Sequence, residues 1–227
     1  MKALPQLGRG IQAVLFDLDG TLIDSAPDLA GAANEMLTVR GLPALPLQAL
    51  RPVAGSGARG MLGAAFSLLP GNDGYEALKT EFLDRYEVRM LQQTCVFAAI
   101  EVLLARLDAA GLPWGIVTNK AERFALPLAQ ALGLKAGAAA IVGGDSTPHT
   151  KPHPAPLLEA ARRIGVAPEH CVYVGDDERD VIAGHAAGMQ TVAVGWGYLG
   201  RGRPVEDWGA TAIIFSPGEL LNCLHLP

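Results

Sequence analysis

Short runs of apolar, β-branched or aromatic residues recur along the chain, and each leads into a turn or into a segment whose apolar positions follow helical spacing. Runs at 13–16, 114–117, 140–142, 171–174, 191–194 and 212–215 read as strands. Segments 98–110, 123–132, 154–164 and 180–187 read as the helices between them, and several close on glycine. Strands alternating with helices predict an α/β fold, a Rossmann-like parallel sheet with helices on both faces. One stretch breaks this rhythm: from about residue 26 to about residue 95 there are three or four helical patterns and no convincing strand. The expectation is therefore a sheet core made of residues 1–24 and 96–227, with an all-helical domain of residues 25–95 inserted after the first strand. The two crossings, near 22–28 and 92–98, should lie at one edge of the core, where the inserted domain can act as a lid.

Half of the 227 residues are hydrophobic, which is enough for a sizeable core. The net charge of −5, with no basic patch, argues against nucleic acid and anionic membranes and favours a small soluble partner. Three cysteines, Cys95, Cys171 and Cys223, are odd in number and outside any CxxC spacing, so neither a disulfide framework nor a zinc site is expected. Residues 1–10 hold no apolar run of signal-peptide length, and no later run approaches a membrane span. A cytoplasmic protein is expected. No long exposed apolar helix marks an interface, so a monomer and a homodimer both stay open.

Four clusters of reactive residue types fall at the ends of strands. The first, Asp17 and Asp19, ends the first strand in two carboxylates followed by Gly20, which lets the backbone turn. Two carboxylates there repel unless a hard divalent cation such as Mg2+ joins them. Thr118 and Asn119 follow the strand at 114–117 and offer a hydroxyl and an amide to phosphate oxygens. Lys151 stands among Pro152, His153 and Pro154, in a stiffened loop that aims a cation at the same edge. Gly175-Asp176-Asp177-Glu178-Arg179-Asp180 is an acidic turn that can complete a magnesium shell. Together the four make one phosphate site, with a small phosphorylated metabolite as partner.

In that order and spacing the clusters resemble the haloacid dehalogenase superfamily over nearly the whole chain. The resemblance implies an α/β core with a helical cap inserted after the first motif. It implies Asp17 as nucleophile and Asp19 as general acid and base, with Mg2+ held by Asp17, Asp176 and the Asp19 carbonyl. Thr118, Asn119 and Lys151 would bind phosphate, and Thr21, Asp177 and Asp180 are candidates for the ring of groups around the metal. Members that cleave carbon–halogen bonds typically lack the carboxylate two residues after the nucleophile, so Asp19 favours phosphoryl transfer. Within the superfamily, the stretch from Phe16 to Leu29, FDLDGTLIDSAPDL, is similar to phosphoglycolate phosphatases. The N-acetylmuramic acid 6-phosphate phosphatases are a close alternative, and which applies depends on the volume the cap leaves for the leaving group. From another class, a non-catalytic phosphate sensor such as a receiver domain would place its phosphorylated aspartate in mid-chain, not on the first strand.

Other features have simpler readings. Asp24 or Ser25 can cap the helix that follows them. Gly55-Ser56-Gly57-Ala58-Arg59-Gly60 matches GxGxxG, but no strand precedes it and it lies within the helical insertion, so a dinucleotide site is not expected. A loop facing the active site is expected instead, with Ser56, Gly57 and Arg59 as contacts for an anionic substrate. His149 and His153 are separated by prolines that prevent a shared helical face, which predicts a loop. Trp196 and Tyr198 should pack beside the site.

Overall fold

The computed structural model describes residues 7, 8 and 10–226. The expectation for residues 1–10 therefore falls largely outside the described residues, as does Pro227.

The six expected strands form one parallel sheet: β1 (Ala13–Phe16), β4 (Trp114–Val117), β5 (Ala140–Val142), β6 (Cys171–Gly175), β7 (Gln190–Val194) and β8 (Ala212–Ile214). Their order is β5-β4-β1-β6-β7-β8, and every adjacent pair is parallel. Chain order reverses at β1, so the C-terminal end of β1 is the switch point where such sheets open a crevice.

Side chains of β1 alternate between the two faces, as a strand requires. Val14 and Phe16 join the larger apolar cluster, while Ala13 and Leu15 join a second one with Leu157, Ala160, Tyr173 and Ala183. Helices α7 (Ala155–Ile164) and α8 (Glu178–Ala186) cover that second face. Helices α5 (Ile100–Ala109), α6 (Glu122–Ala131) and α9 (Pro217–Cys223) contribute to the first. This is the expected Rossmann-like arrangement, with element ends within two residues of their expected places. The short helix α9 was not anticipated.

Between β1 and α5 the chain builds α1 (Ala26–Thr38), α2 (Leu47–Leu50), a 3-10 turn (Arg51–Ser56), α3 (Gly57–Phe66) and α4 (Tyr75–Arg89). The two chain crossings pair as a two-stranded antiparallel ribbon, β2 (Ile23–Asp24) with β3 (Cys95–Val96), in register Ile23↔Val96 and Asp24↔Cys95. Two-residue strands carry no periodicity, which is why the pattern of apolar positions did not reveal them.

A buried carboxylate ties the start of this helical segment to its end. Asp28 on α1 is fully buried, and its Oδ2 accepts from the backbone N–H of Gln93 and Thr94 and from Thr94 Oγ1 at 2.8–2.9 Å. Its Oδ1 faces Arg89 Nε at 3.6 Å, and Arg89 also pairs with Glu35. Removing Asp28 would leave the buried Thr94 N–H, the partly buried Gln93 N–H and a buried guanidinium without their acceptor. Asp28→Ala is expected to cost about 3 kcal/mol of unfolding free energy, read from urea denaturation.

Candidate active site

The loops after β1, β4 and β6, with the loop that carries Lys151, converge on the C-terminal edge of the sheet. Register places Asp17 beside the ends of β4 and β6, and its N–H donates to Val174 O at 2.9 Å. Lys151 Nζ sits in the middle, 2.8 Å from Asp17 Oδ1, Asp180 Oδ1 and Tyr173 Oη, and donates to Val117 O at 3.1 Å. Asp17, Asp176 and Asp180 each bring a carboxylate oxygen within 4.8 Å of the others, and all three are buried. Asp176 is held at both oxygens, by the Thr21 hydroxyl at 3.0 Å and the Tyr198 N–H at 2.8 Å. A side chain at Gly20 or Gly197 would collide with the Asp176 carboxylate, so the close approach of both loops depends on glycine.

A profile for the haloacid dehalogenase-like hydrolases matches residues 14–194, which span Asp17, Thr118, Asn119, Lys151, Asp176 and Asp180. The chain belongs to this family. It is 51% identical over 210 residues to a phosphoglycolate phosphatase of Xanthomonas campestris pv. campestris strain 8004, covering 92% of this chain and 94% of that one. It is 41% identical over 214 residues to an N-acetylmuramic acid 6-phosphate phosphatase of Pseudomonas aeruginosa, covering 94% and 95%. The crystal structure of a predicted phosphoglycolate phosphatase from Haemophilus somnus 129PT superimposes with a TM-score of 0.83 at 28% identity, covering 94% of this chain and 97% of that one. Within the haloacid dehalogenase-like hydrolases, this chain is a phosphatase.

The four clusters read from the sequence all meet at one cavity of about 420 Å3. Asp17, Asp19, Thr118, Asn119, Lys151 and Asp176 line it, and so do Ser56, Gly57 and Arg59 from the helical segment. The GxGxxG stretch forms the end of the 3-10 turn and the start of α3, with Gly57 at φ +54°, and has no strand before it. His149 and His153 lie between β5 and α7, outside any helix or strand, with their rings against one another.

The structure adds detail to the sequence reading at four places. The Asn119 carboxamide does not point free into the site: it donates to Lys151 O and accepts from Lys151 N, both at 2.9 Å, and so holds the lysine loop in place. Thr118 Oγ1 accepts from Lys120 N at 3.1 Å, which leaves its own O–H available. Asp177 and Asp180 have different contacts. Asp180 contacts Lys151 and accepts from Asp177 N, while Asp177 caps α8 and forms a two-point pair with Arg179. Ser25 stands at the start of α1 but its hydroxyl donates to Asp19 Oδ1 and not to the helix.

Some contributors were not singled out from sequence. Lys120 Nζ lies 3.1 Å from Asp19 Oδ1 and donates to Tyr86 Oη of α4 at 3.0 Å, so a buried ammonium bridges the carboxylate and the helical segment. Its place in Thr118-Asn119-Lys120 was the available signal. Arg179 also reaches the Gly55 carbonyl at 2.8 Å. Tyr198 and Trp196, expected beside the site, are there: Tyr198 Oη accepts from the N–H groups of Ser25 and Ala26. Its neighbour Trp196 donates Nε1–H to Thr21 O at 3.1 Å.

Burial and crowding set the charge states. Burial, aided by Asp180 and Asp19 and opposed by Lys151, pushes the Asp17 carboxyl up to about 7. Burial, reinforced by Asp17 and Asp180, raises Asp176 well above the usual carboxylate range. Burial alone would lower Lys151, but Asp17 and Asp180 outweigh it and keep the lysine charged. Such a cluster, with an Asp17 oxygen that lacks a well-directed hydrogen bond, has the oxygen donors and excess negative charge that suit a divalent cation.

The pH dependence follows from the sign of these shifts. Between about pH 4 and pH 7 folded Asp17 retains a proton that the unfolded chain has lost, so stability falls as pH rises through that window. In metal-free protein, Tm is expected to fall from about pH 5 to about pH 7.5. A divalent cation should flatten the slope and raise Tm most at the alkaline end, where the carboxylates it binds are already ionised. Thermal melts with chelator and with added metal check this.

Proposed function

We propose that this phosphatase is a magnesium-dependent phosphomonoester hydrolase that works through an aspartyl phosphate on Asp17. The observation that carries the reading is the meeting of buried Asp17, Asp176 and Asp180 with the charged Lys151 at the switch point of the sheet. Mg2+ would be held by Asp17, Asp176 and the Asp19 carbonyl, and when bound would supply positive charge to the phosphoryl oxygens.

Asp17 attacks phosphorus in line with the leaving oxygen, and Lys151 and the Thr118 hydroxyl stabilise charge on the equatorial oxygens. Asp180 keeps Lys151 aimed and charged. Asp19 protonates the departing alkoxide, then takes a proton from the water that hydrolyses the aspartyl phosphate. Asn119 contributes by fixing the lysine loop.

Residues 25–95 serve as a cap on the core of residues 1–24 and 96–227. Two observations support this: the crossings are drawn together as the ribbon of β2 and β3, and the loop from Gly55 to Arg59 lines the cavity opposite Asp17. A cytoplasmic setting suits the three unpaired cysteines. Among the described residues, no helix is long and apolar enough to cross a membrane.

Relatives support two esters as the substrate. Sequence identity favours 2-phosphoglycolate, and the cavity volume favours N-acetylmuramic acid 6-phosphate. Asp17→Asn is expected to reduce magnesium-dependent phosphate release by about 10⁴-fold or more. Asp19→Asn should lose about 10²- to 10⁴-fold while still binding magnesium, measured by calorimetry. Wild-type turnover in either variant would refute the assigned roles.

A further inference from the structure

Asp19 carries its fixed side-chain contacts on one oxygen. Ser25 Oγ donates to Oδ1 and Lys120 Nζ lies 3.1 Å from the same atom, while no protein group among the described residues bonds Oδ2. Asp19 lines the cavity, so Oδ2 is the oxygen left for an incoming ester. The two partners of Oδ1 differ in kind. A hydroxyl donates or accepts, and Ser25 Oγ has a second hydroxyl, Tyr198 Oη, at 3.3 Å with which it can exchange roles. An ammonium only donates. Lys120 is therefore the group that obliges Oδ1 to stay an acceptor and sends a carboxyl proton to Oδ2.

The ammonium is itself held. The Lys120 side chain is 9% exposed, donates to Tyr86 Oη at 3.0 Å and brings Nζ within 4.6 Å of the Tyr86 ring centroid. Tyr86 is buried, stacked with Phe82 at 6.4 Å and edge-on to Phe124 at 5.5 Å, so its hydroxyl has little freedom to move. The lysine backbone is pinned as well: its N–H donates to Thr118 Oγ1, and its carbonyl accepts from Gly144 N at 2.8 Å. A Cβ at Gly144 would meet the Asn119 carbonyl, so this approach depends on glycine. Burial opposes the charge on Lys120, but Asp19 and Tyr86 outweigh it.

We propose that Lys120 and Tyr86 are positioning residues for proton transfer to the leaving group: Lys120, held by Tyr86 Oη, keeps Oδ1 of Asp19 an acceptor and the transferable proton on Oδ2. This role rests on the reading of Asp19 as general acid and deepens it. As the bond from phosphorus to the leaving oxygen breaks, its electron pair stays on that oxygen and takes the proton from Oδ2. The O–H pair stays on Asp19, and the Lys120 ammonium faces the carboxylate charge that results. Without Lys120 that charge has no cation beside it and the proton is free to sit on either oxygen.

Phenyl phosphate and p-nitrophenyl phosphate differ in the leaving group's need for a proton, and neither carries a carboxylate or a sugar for Lys120 to bind. The ratio of kcat/KM for p-nitrophenyl over phenyl phosphate, measured with magnesium, therefore reads proton delivery separately from substrate binding. Asp19→Asn is expected to raise the ratio by about 100-fold, Lys120→Met by about tenfold and Tyr86→Phe, which keeps the ring, by about threefold. Adding Tyr86→Phe to Lys120→Met should raise it no further, because the hydroxyl acts only through the ammonium. A merely structural role would lower both esters together. The positioning role is overturned if the ratio rises in Asp19→Asn but stays at the wild-type value in Lys120→Met, or if Tyr86→Phe adds its full effect in the double variant. Should Lys120→Met not fold, the ratio in Tyr86→Phe decides in the same way. An unchanged ratio in Asp19→Asn would instead bring down the general-acid reading, and a wild type that hydrolyses neither ester would bring down the phosphatase reading itself.

Discussion

The ammonium of Lys151 holds the active edge together. Three carboxylates, Asp17, Asp176 and Asp180, are brought into mutual reach by strand ends and by the first turn of α8, and like charges so close resist burial. Lys151 touches two of them, and its remaining contacts go to Tyr173 Oη and Val117 O, so each of its donors has an acceptor. The compensation is partial. One positive charge faces three carboxyl groups, and burial together with that deficit raises Asp17 and Asp176 above the usual carboxylate range. The same deficit, with its oxygen donors, suits the site to a divalent cation.

Much of the remaining architecture keeps that lysine and those carboxylates in place. Asn119 clamps the Lys151 backbone from β4, and Thr21 and the Tyr198 N–H fix both oxygens of Asp176. Asp180 serves two purposes, since one oxygen accepts from Asp177 N at the start of α8 and the other pairs with Lys151. A Cβ at Gly175 would run into the Asp180 carboxylate, so that strand end depends on glycine for the approach. Local helix capping and the charge balance of the site are therefore parts of the same small set of bonds.

The sheet and the catalytic clusters were legible because their signals are local. Apolar runs ending in Asp17, Thr118 or Asp176 state both a strand and the chemistry at its end, and parallel topology does the rest. What stayed hidden depends on contacts between distant segments. Nothing in the string around Asn119 says that its amide is committed to Lys151, thirty-two residues later. The ribbon at Ile23–Asp24 and Cys95–Val96 exists because both crossings occupy one place, not because two residues have strand character. Tyr86 reads as one apolar position of an amphipathic helix, and its hydroxyl meets Lys120 only once α4 lies over the sheet edge.

Those hidden contacts distinguish the two aspartates of the first motif. Asp17 and Asp19 are two residues apart and chemically identical in the sequence, but they face different surroundings. Asp17 belongs to the buried cluster with Lys151, Asp176 and Asp180. Asp19 turns toward Ser25 and Lys120, and through Lys120 it is joined to Tyr86 on the helical segment. One carboxyl is governed by the carboxylate cluster at the edge of the core and the other by residues that arrive from α1, the end of β4 and α4. The roles proposed for the two need different settings, and here the difference comes from which neighbours the fold supplies to each. A shift of α4 would change the surroundings of Asp19 through Tyr86 and Lys120 without touching the contacts of Asp17 to Lys151, so the helical segment has a route to Asp19 that bypasses Asp17.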